Sequence, residues 1–197
     1  MTGTSTLGVQ LDQLAEEIGR LQRLTLPFAP VLALHGGRVV VLVPVIDDRA
    51  FVPARPASPT KRRRRTPWLA RFERVAARLR VTLEEGPLPE GTLGLSLRGR
   101  RVRLRRDVSE VDQTTTLIHE LAHILLGHFH PSNRLDVLEC ELEAEAVAWL
   151  VATQLGLHSE APLQLAAMGA PAEHLRAARK KIGRVAGRLL KVAFQSI

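Results

Sequence analysis

The 197-residue chain has no tyrosine, a single cysteine and only seven aromatic residues, five Phe and two Trp. One cysteine, Cys140, excludes an intramolecular disulfide framework and any metal site built from several cysteines. The few aromatic rings leave little surface on which nucleic-acid bases could stack. The longest apolar run, Val39 to Ile46, is interrupted by Pro44 and is too short to span a bilayer. Because the first residues also lack the basic start and apolar run of a signal peptide, we expect a cytoplasmic protein with no membrane partner.

Arginine is abundant, and charge is distributed unevenly along the chain. The formal net charge is +8. Residues 61–106 carry 15 basic and four acidic side chains, whereas residues 107–160 carry ten acidic and one basic. The basic excess indicates either an anionic partner or the arginine-rich codon usage of a GC-rich genome. An acidic block inside a basic protein needs a separate explanation.

Composition and breakers divide the chain into three parts. Residues 1–50 hold an amphipathic helix over 10–24 and a buried strand over 38–46. Residues 51–67 contain four prolines around a run of Lys and four Arg, which is typical of a linker. We therefore predict an N-terminal appendage over 1–50, a linker over 51–67 and a main domain over 68–197.

The main domain is predicted to have an α+β fold. Its pattern indicates a helix over 68–79, a β-hairpin over 93–105 with arginines on its outer face, and helices near 110–129, 135–156 and 172–194. We expect a small antiparallel β-sheet packed on the second of these helices and on the glutamate-rich helix that follows it. The last helix is basic.

A candidate metal site lies in the segment TLIHELAHILLGH, residues 116–128. His119 and His123 are four residues apart, so on a helix both imidazoles project from one face and can bind one zinc ion. Glu120, next to the first histidine, is placed to take a proton from water at the metal. Leucines on the opposite face would bury the helix against the core.

The acidic block supplies candidates for a third ligand. On a helix Glu141 and Glu145 share one face, while Glu139 and Glu143 share another. Charge alone predicts solvated surface carboxylates, and that is our interpretation of Glu139 and Glu143. The mutual repulsion of four carboxylates within seven residues would be relieved by a dication among them.

The pair of segments TLIHELAHILLGH and ELEAEAVAWLV resembles the ImmA/IrrE family of zinc metallopeptidases and the related ArdC-type antirestriction proteins. The resemblance covers roughly residues 68–195. In that family a glutamate signature follows the histidine helix, and it aligns here with Glu141, Ala144, Glu145, Val147 and Ala148. It implies that Glu141 is the third Zn²⁺ ligand beside His119 and His123. It also implies that Glu145 orients a ligand histidine through its free N–H.

By this resemblance the chain is expected to be a zinc metallo-endopeptidase with Glu120 as general base. The implied substrate is a specific protein, such as a DNA-bound repressor that controls stress or mobile-element genes. We expect the substrate to add as a strand along the hairpin strand over 101–105. Without tyrosine, an oxyanion donor would have to be His128, His130, His158 or an arginine.

The alternative is a nucleic-acid-associated or antirestriction protein whose zinc site is mainly structural. In that case the basic region 61–106 would contact phosphates. The helix over 10–24 is expected to pack against the strand over 39–46 rather than to form a coiled coil, since two heptads are too few. The sequence leaves the cleaved bond, any activator and the oligomeric state open.

Overall fold

The structure is a computed structural model of the whole chain, and it describes most of the C-terminal two thirds. The residues described are 6–24, 31–35, 38–42, 67–84, 86, 88–89, 92–97, 100–157, 159, 161–167, 169 and 172–195. The predicted linker over 51–67 lies almost wholly outside these residues, so the proposed domain boundary stays a prediction.

Helices and a small sheet alternate along the chain. The helices are α1 (Thr6–Leu24), α2 (Pro67–Arg78), α3 (Glu110–Leu126), α4 (Val137–Gln154), α5 (Ala161–Ala167) and α6 (Ala172–Phe194). The strands are β1 (Val31–His35), β2 (Arg38–Leu42), β3 (Thr82–Glu84), β4 (Gly94–Leu97) and β5 (Arg101–Leu104). The α+β class is thereby confirmed.

Helix α4 lies at the centre of the core. From Ala144 to Ala152 its sequence is apolar at every position but Glu145, as expected for a helix that neighbours cover on most sides. Helices α3 and α6 pack against it most extensively, and α1 and α5 contact it as well. The site residues on α3 and α4 are therefore held by the best-packed part of the molecule.

The sheet beside α3 is mixed, not antiparallel as predicted. Strand order is β3-β5-β4, with β4 antiparallel to β5 and β3 parallel to it. The hairpin was predicted correctly, since Val102 and Leu104 are buried and Arg101 is exposed. Strand β3 was missed because three residues are too few to show an alternating pattern. Consequently β5 is a central strand, and the prediction that it offers a free edge to a substrate is wrong.

Helix α1 shares the core of the C-terminal part. Its residues Leu11, Leu14 and Ile18 are fully buried, and the helix packs chiefly on α6 and α5. Its apolar face is thus covered by helices distant in sequence, whereas half of the strand over 39–46, which we expected to cover it, lies outside the described residues. Strands β1 and β2 form a separate two-stranded antiparallel sheet.

No helix among the described residues is both long enough and apolar enough to cross a membrane.

Candidate metal and catalytic site

Helix α3, which carries His119, Glu120 and His123, is capped at both ends. Ser109 precedes the helix and its hydroxyl accepts a hydrogen bond from the backbone N–H of Asp112. Gly127 ends the helix in the left-handed conformation, at φ 77°, which a residue with a Cβ would adopt only at a cost. The glycine turns the chain so that the next residue, His128, folds back towards His123.

Helix α4 brings Glu141 opposite the two histidines. The helix begins with a capping box between Asp136 and Glu139, one turn before Glu141. His119 Nε2 and His123 Nε2 are 3.0 Å apart. Glu141 lies 3.3 Å from the first of these nitrogens through Oε2 and 3.4 Å from the second through Oε1. The structure therefore brings together the three residues that the sequence and the resemblance assign to zinc.

The spacing of these atoms suits a tetrahedral ion. Zinc binds imidazole nitrogen and carboxylate oxygen at about 2.0–2.2 Å, which places neighbouring ligand atoms about 3.3 Å apart. The separations of 3.0 to 3.4 Å, which involve a different oxygen of Glu141 for each histidine, are close to this value, and one ligand atom from each residue fits within 4.8 Å. Among the described residues, these three form the group of His, Cys, Asp or Glu side chains close enough to hold one metal ion.

Glu145 contacts the other ring nitrogen of His119. Its Oε2 lies 3.0 Å from His119 Nδ1, which is the position that the resemblance implies for an orienting carboxylate. Burial alone would lower the pKa of His119, but the hydrogen bonds that its ring donates to Glu141 and Glu145 outweigh burial and hold that pKa well above its usual value. Burial disfavours the charged form of Glu141, yet its contacts with both histidines keep its pKa well below the usual range. Both shifts favour an anionic carboxylate next to a cationic imidazole.

Glu120 is held in place by strand β4. It is only 8 % exposed, and its Oε2 accepts a hydrogen bond from the Ser96 hydroxyl. Gly94 lies against the same side chain, because a Cβ at this position would come within 3.1 Å of Glu120 Cγ and Oε1 and within 2.4 Å of Thr116 Cγ2. Sequence reasoning missed Ser96 and Gly94, since neither belongs to a motif and both act across the gap between β4 and α3.

The cluster lies in an open cleft of about 940 Å³ between β4, α3 and the start of α4. Three large apolar residues that line the cleft are also well exposed, namely Leu93, Phe129 and Val137. Exposed apolar side chains grouped at a cleft favour a ligand with apolar parts.

We expected both remaining carboxylates of α4 to be solvated, and this is wrong for Glu143, whereas Glu139 is partly exposed. Glu143 is 2 % exposed and contacts both His128 and Lys181. Glu139 closes the capping box and also lies 3.3 Å from His174 Nδ1. The contacts with His128, His174 and Lys181 come from residues 15 to 38 positions away, so spacing on α4 alone could not reveal them.

The histidines considered as oxyanion donors have other partners. His128 is buried, with both ring nitrogens engaged by His123 and Glu143. His130 is exposed and lies 2.6 Å from the Ser132 hydroxyl. His158 lies outside the described residues.

Most arginines that flank the hairpin make contacts within the chain. Arg101 and Arg103 pair with Glu84, and Arg106 pairs with Glu73. Arg100 and Arg105 donate to backbone carbonyls. This part of the predicted phosphate-binding region is therefore largely used to hold β5 and its neighbours.

Comparison with protein-family models, with curated proteins and with solved structures finds no match to this chain. The resemblance to the ImmA/IrrE family consequently stays a prediction that depends on the two motifs.

Proposed function

We propose that this chain is a zinc-dependent endopeptidase, with zinc held by His119, His123 and Glu141. The observation that carries the proposal is the triangle of two Nε2 atoms and one carboxylate, with sides of 3.0 to 3.4 Å, beside a buried glutamate in an open cleft. Zinc at such a site supplies a Lewis acid that polarises the carbonyl group and favours ionisation of water.

Glu120 would move the proton. Its Oε2 accepts a hydrogen bond from the Ser96 hydroxyl, and this bond holds the carboxylate in one orientation. A glutamate in that position can take a proton from the attacking water and deliver it to the amine nitrogen that leaves when the peptide bond breaks. Ser96 keeps the carboxylate in position for both transfers.

We place the substrate along β4 instead of β5. Within the described part of the chain, β4 pairs only with β5, and its residues Gly94, Leu95 and Ser96 line the cleft. An extended peptide could add to this edge by backbone hydrogen bonds, with its apolar side chains against Leu93 and Phe129. A specific cytoplasmic protein such as a repressor remains our proposed substrate, and the family resemblance supports it.

The test compares zinc-loaded wild type with Glu120→Gln on a proteome-derived peptide library, with new termini detected by mass spectrometry. We expect Glu120→Gln to bind zinc normally and to lower the cleavage rate by about 10²- to 10⁴-fold, since it removes the general base. Glu16→Gln, an exposed change on α1 of the same chemistry, serves as the matched control and should cleave like wild type. Cleavage by Glu120→Gln at the wild-type rate, or no cleavage by wild type, would contradict the proposal.

A second candidate function is association with nucleic acid, through α6 and not through the hairpin. A row of cations follows one exposed face of this helix, namely Arg176, Lys180, Arg184, Arg188 and Lys191. None of the five forms an ion pair or a side-chain hydrogen bond within the described residues. Such a row could track a phosphate backbone.

A titration of double-stranded DNA at several salt concentrations tests this second function. We expect wild type to bind with a steep dependence on salt, and a variant with Gln at Arg176, Lys180, Arg184 and Arg188 to show a shallower slope. Equal binding by the two proteins would locate the contact elsewhere, and no binding at low salt would contradict the function itself.

A further inference from the structure

A second polar cluster lies on the Nδ1 side of His123, whereas His119 faces the Nε2 atom of the same ring. It contains His128 after the end of α3, Glu143 on α4 and Lys181 on α6. His128 Nδ1 is 2.9 Å from His123 Nδ1, and His128 Nε2 is 3.1 Å from Glu143 Oε2. Lys181 Nζ is 2.7 Å from the same carboxylate oxygen. The three side chains therefore connect a candidate zinc ligand to the basic C-terminal helix.

The chemistry of the groups determines the direction of each hydrogen bond. Lysine can only donate, so Glu143 accepts from Lys181. A carboxylate accepts, so His128 must carry its proton on Nε2 in order to donate to Glu143. A neutral imidazole with its proton on Nε2 has a lone pair on Nδ1, and this lone pair accepts a hydrogen bond from the Nδ1–H group of His123. With Nδ1 protonated, neutral His123 has its lone pair on Nε2, the atom that faces His119 and Glu141.

We propose that His128 is a positioning residue, held by Glu143 and Lys181, which fixes the tautomer and the ring orientation of His123 for metal binding. This inference rests on the proposed zinc site. The side chain of His128 is only 2 % exposed, and each of its ring nitrogens has a protein partner, so the two hydrogen bonds fix the orientation of this ring.

The two candidate histidine ligands are thus oriented by different means. His119 donates directly to the carboxylate Glu145, whereas His123 reaches its carboxylate, Glu143, through a second imidazole. The longer connection includes Lys181 of α6. Through it, α6 influences the site although none of its residues belongs to the zinc cluster. Partners of this kind typically change metal affinity by about 10- to 100-fold when they are removed.

The first experiment measures zinc affinity by competition with a chromophoric chelator for wild type, His128→Leu, His128→Asn and Lys181→Met. A leucine side chain cannot accept a hydrogen bond from His123. We therefore expect the dissociation constant of the His128→Leu variant for zinc to rise by about 10- to 100-fold. The asparagine oxygen can take the place of Nδ1, so His128→Asn should retain affinity close to wild type. Lys181→Met should weaken binding in the same direction but less. His130→Leu, at an exposed histidine two residues away, is the matched control and should bind like wild type.

The second experiment uses the metal-free protein and reads the tautomer directly by long-range ¹H–¹⁵N NMR of the histidine rings. We expect His123 to be protonated on Nδ1 in wild type and in His128→Asn, and to populate the Nε2-protonated form in His128→Leu. A purely structural role of His128 would not produce this tautomer change.

The outcomes separate the two proposals. Wild type without zinc contradicts both the proposed function and the positioning role. Tight zinc binding by wild type together with equal affinity in a folded His128→Leu contradicts the positioning role alone, as does an asparagine variant no better than leucine. If His128→Leu does not fold, Lys181→Met decides, because that side chain is 40 % exposed and its replacement should leave the fold intact. Unchanged affinity and tautomer in Lys181→Met would then contradict the connection to α6.

Discussion

The cleft and the outer face of α6 hold charged side chains in opposite ways. In and next to the cleft, four carboxylates each contact a side chain of another element, namely Glu120, Glu141, Glu143 and Glu145. On the outer face of α6, the cations of the basic row face solvent and have no such partner within the described residues. Lys181, on the inner side of the same helix, joins the two regions through Glu143. Charged residues with specific partners therefore mark the site better than net charge does.

The largest expected difference between the two regions concerns the room for a side chain at a glycine. Gly94→Ala would place a Cβ within 2.4 Å of Thr116 and 3.1 Å of Glu120, so β4 or the catalytic carboxylate must shift. A displacement of about 1 Å can cost about 100-fold in rate, and we expect a loss of that order in peptide cleavage. On α6, Gly183→Ala meets no atom within 4 Å, and it should keep full activity and gain up to about 1 kcal/mol of stability. Equal activity of the two variants would contradict the tight fit at β4.

Removal of the metal should lower the melting temperature of the protein through the site in the cleft alone. A ligand that binds the folded state at 100 times its dissociation constant stabilises it by about 2.7 kcal/mol. We therefore expect a chelator to lower the melting temperature of zinc-loaded wild type. His119→Ala should already melt at the lower temperature and should not respond to the chelator. A response in His119→Ala equal to that of wild type would place the stabilising metal elsewhere.

The third difference concerns single charges. Glu143→Gln should destabilise the metal-free protein by about 1–3 kcal/mol, because it weakens the acceptor of a buried network that His128 and Lys181 share. Arg184→Gln, on the outer face of α6, should change stability by less than about 0.5 kcal/mol. Urea denaturation of both variants measures the contrast. Similar losses of stability in the two variants would show that the buried contacts of Glu143 contribute little to the free energy of unfolding.

Local patterns predicted the five longer helices, the hairpin and the central motif. The spacing of His119, Glu120 and His123 requires only a helix, and the pattern around them determines where that helix runs. The first and last residues of helices α3, α4 and α6 were predicted to within a few residues for the same reason. Glu141 could be proposed because its motif aligns with a known signature.

Tertiary contacts account for what was missed. Ser96 and Glu120 are 24 residues apart, and Glu143 and Lys181 are 38 apart, so no local pattern links them. Glu143 was interpreted as a surface carboxylate because helical spacing cannot show that α6 covers it. The short strand β3 moved β5 to the centre of the sheet, and this changed the edge available to a substrate.

The most direct test of the central claim is the zinc content of purified protein, measured by mass spectrometry of the metal, for wild type, His119→Ala, Glu141→Ala and Glu145→Ala. The account predicts about one zinc ion per chain in wild type and close to none in His119→Ala and Glu141→Ala. Glu145→Ala should bind zinc more weakly but should still bind it, because Glu145 contacts His119 from behind. Wild type without zinc would contradict the claim, and full zinc in Glu141→Ala with none in Glu145→Ala would show that Glu145, not Glu141, is the third ligand.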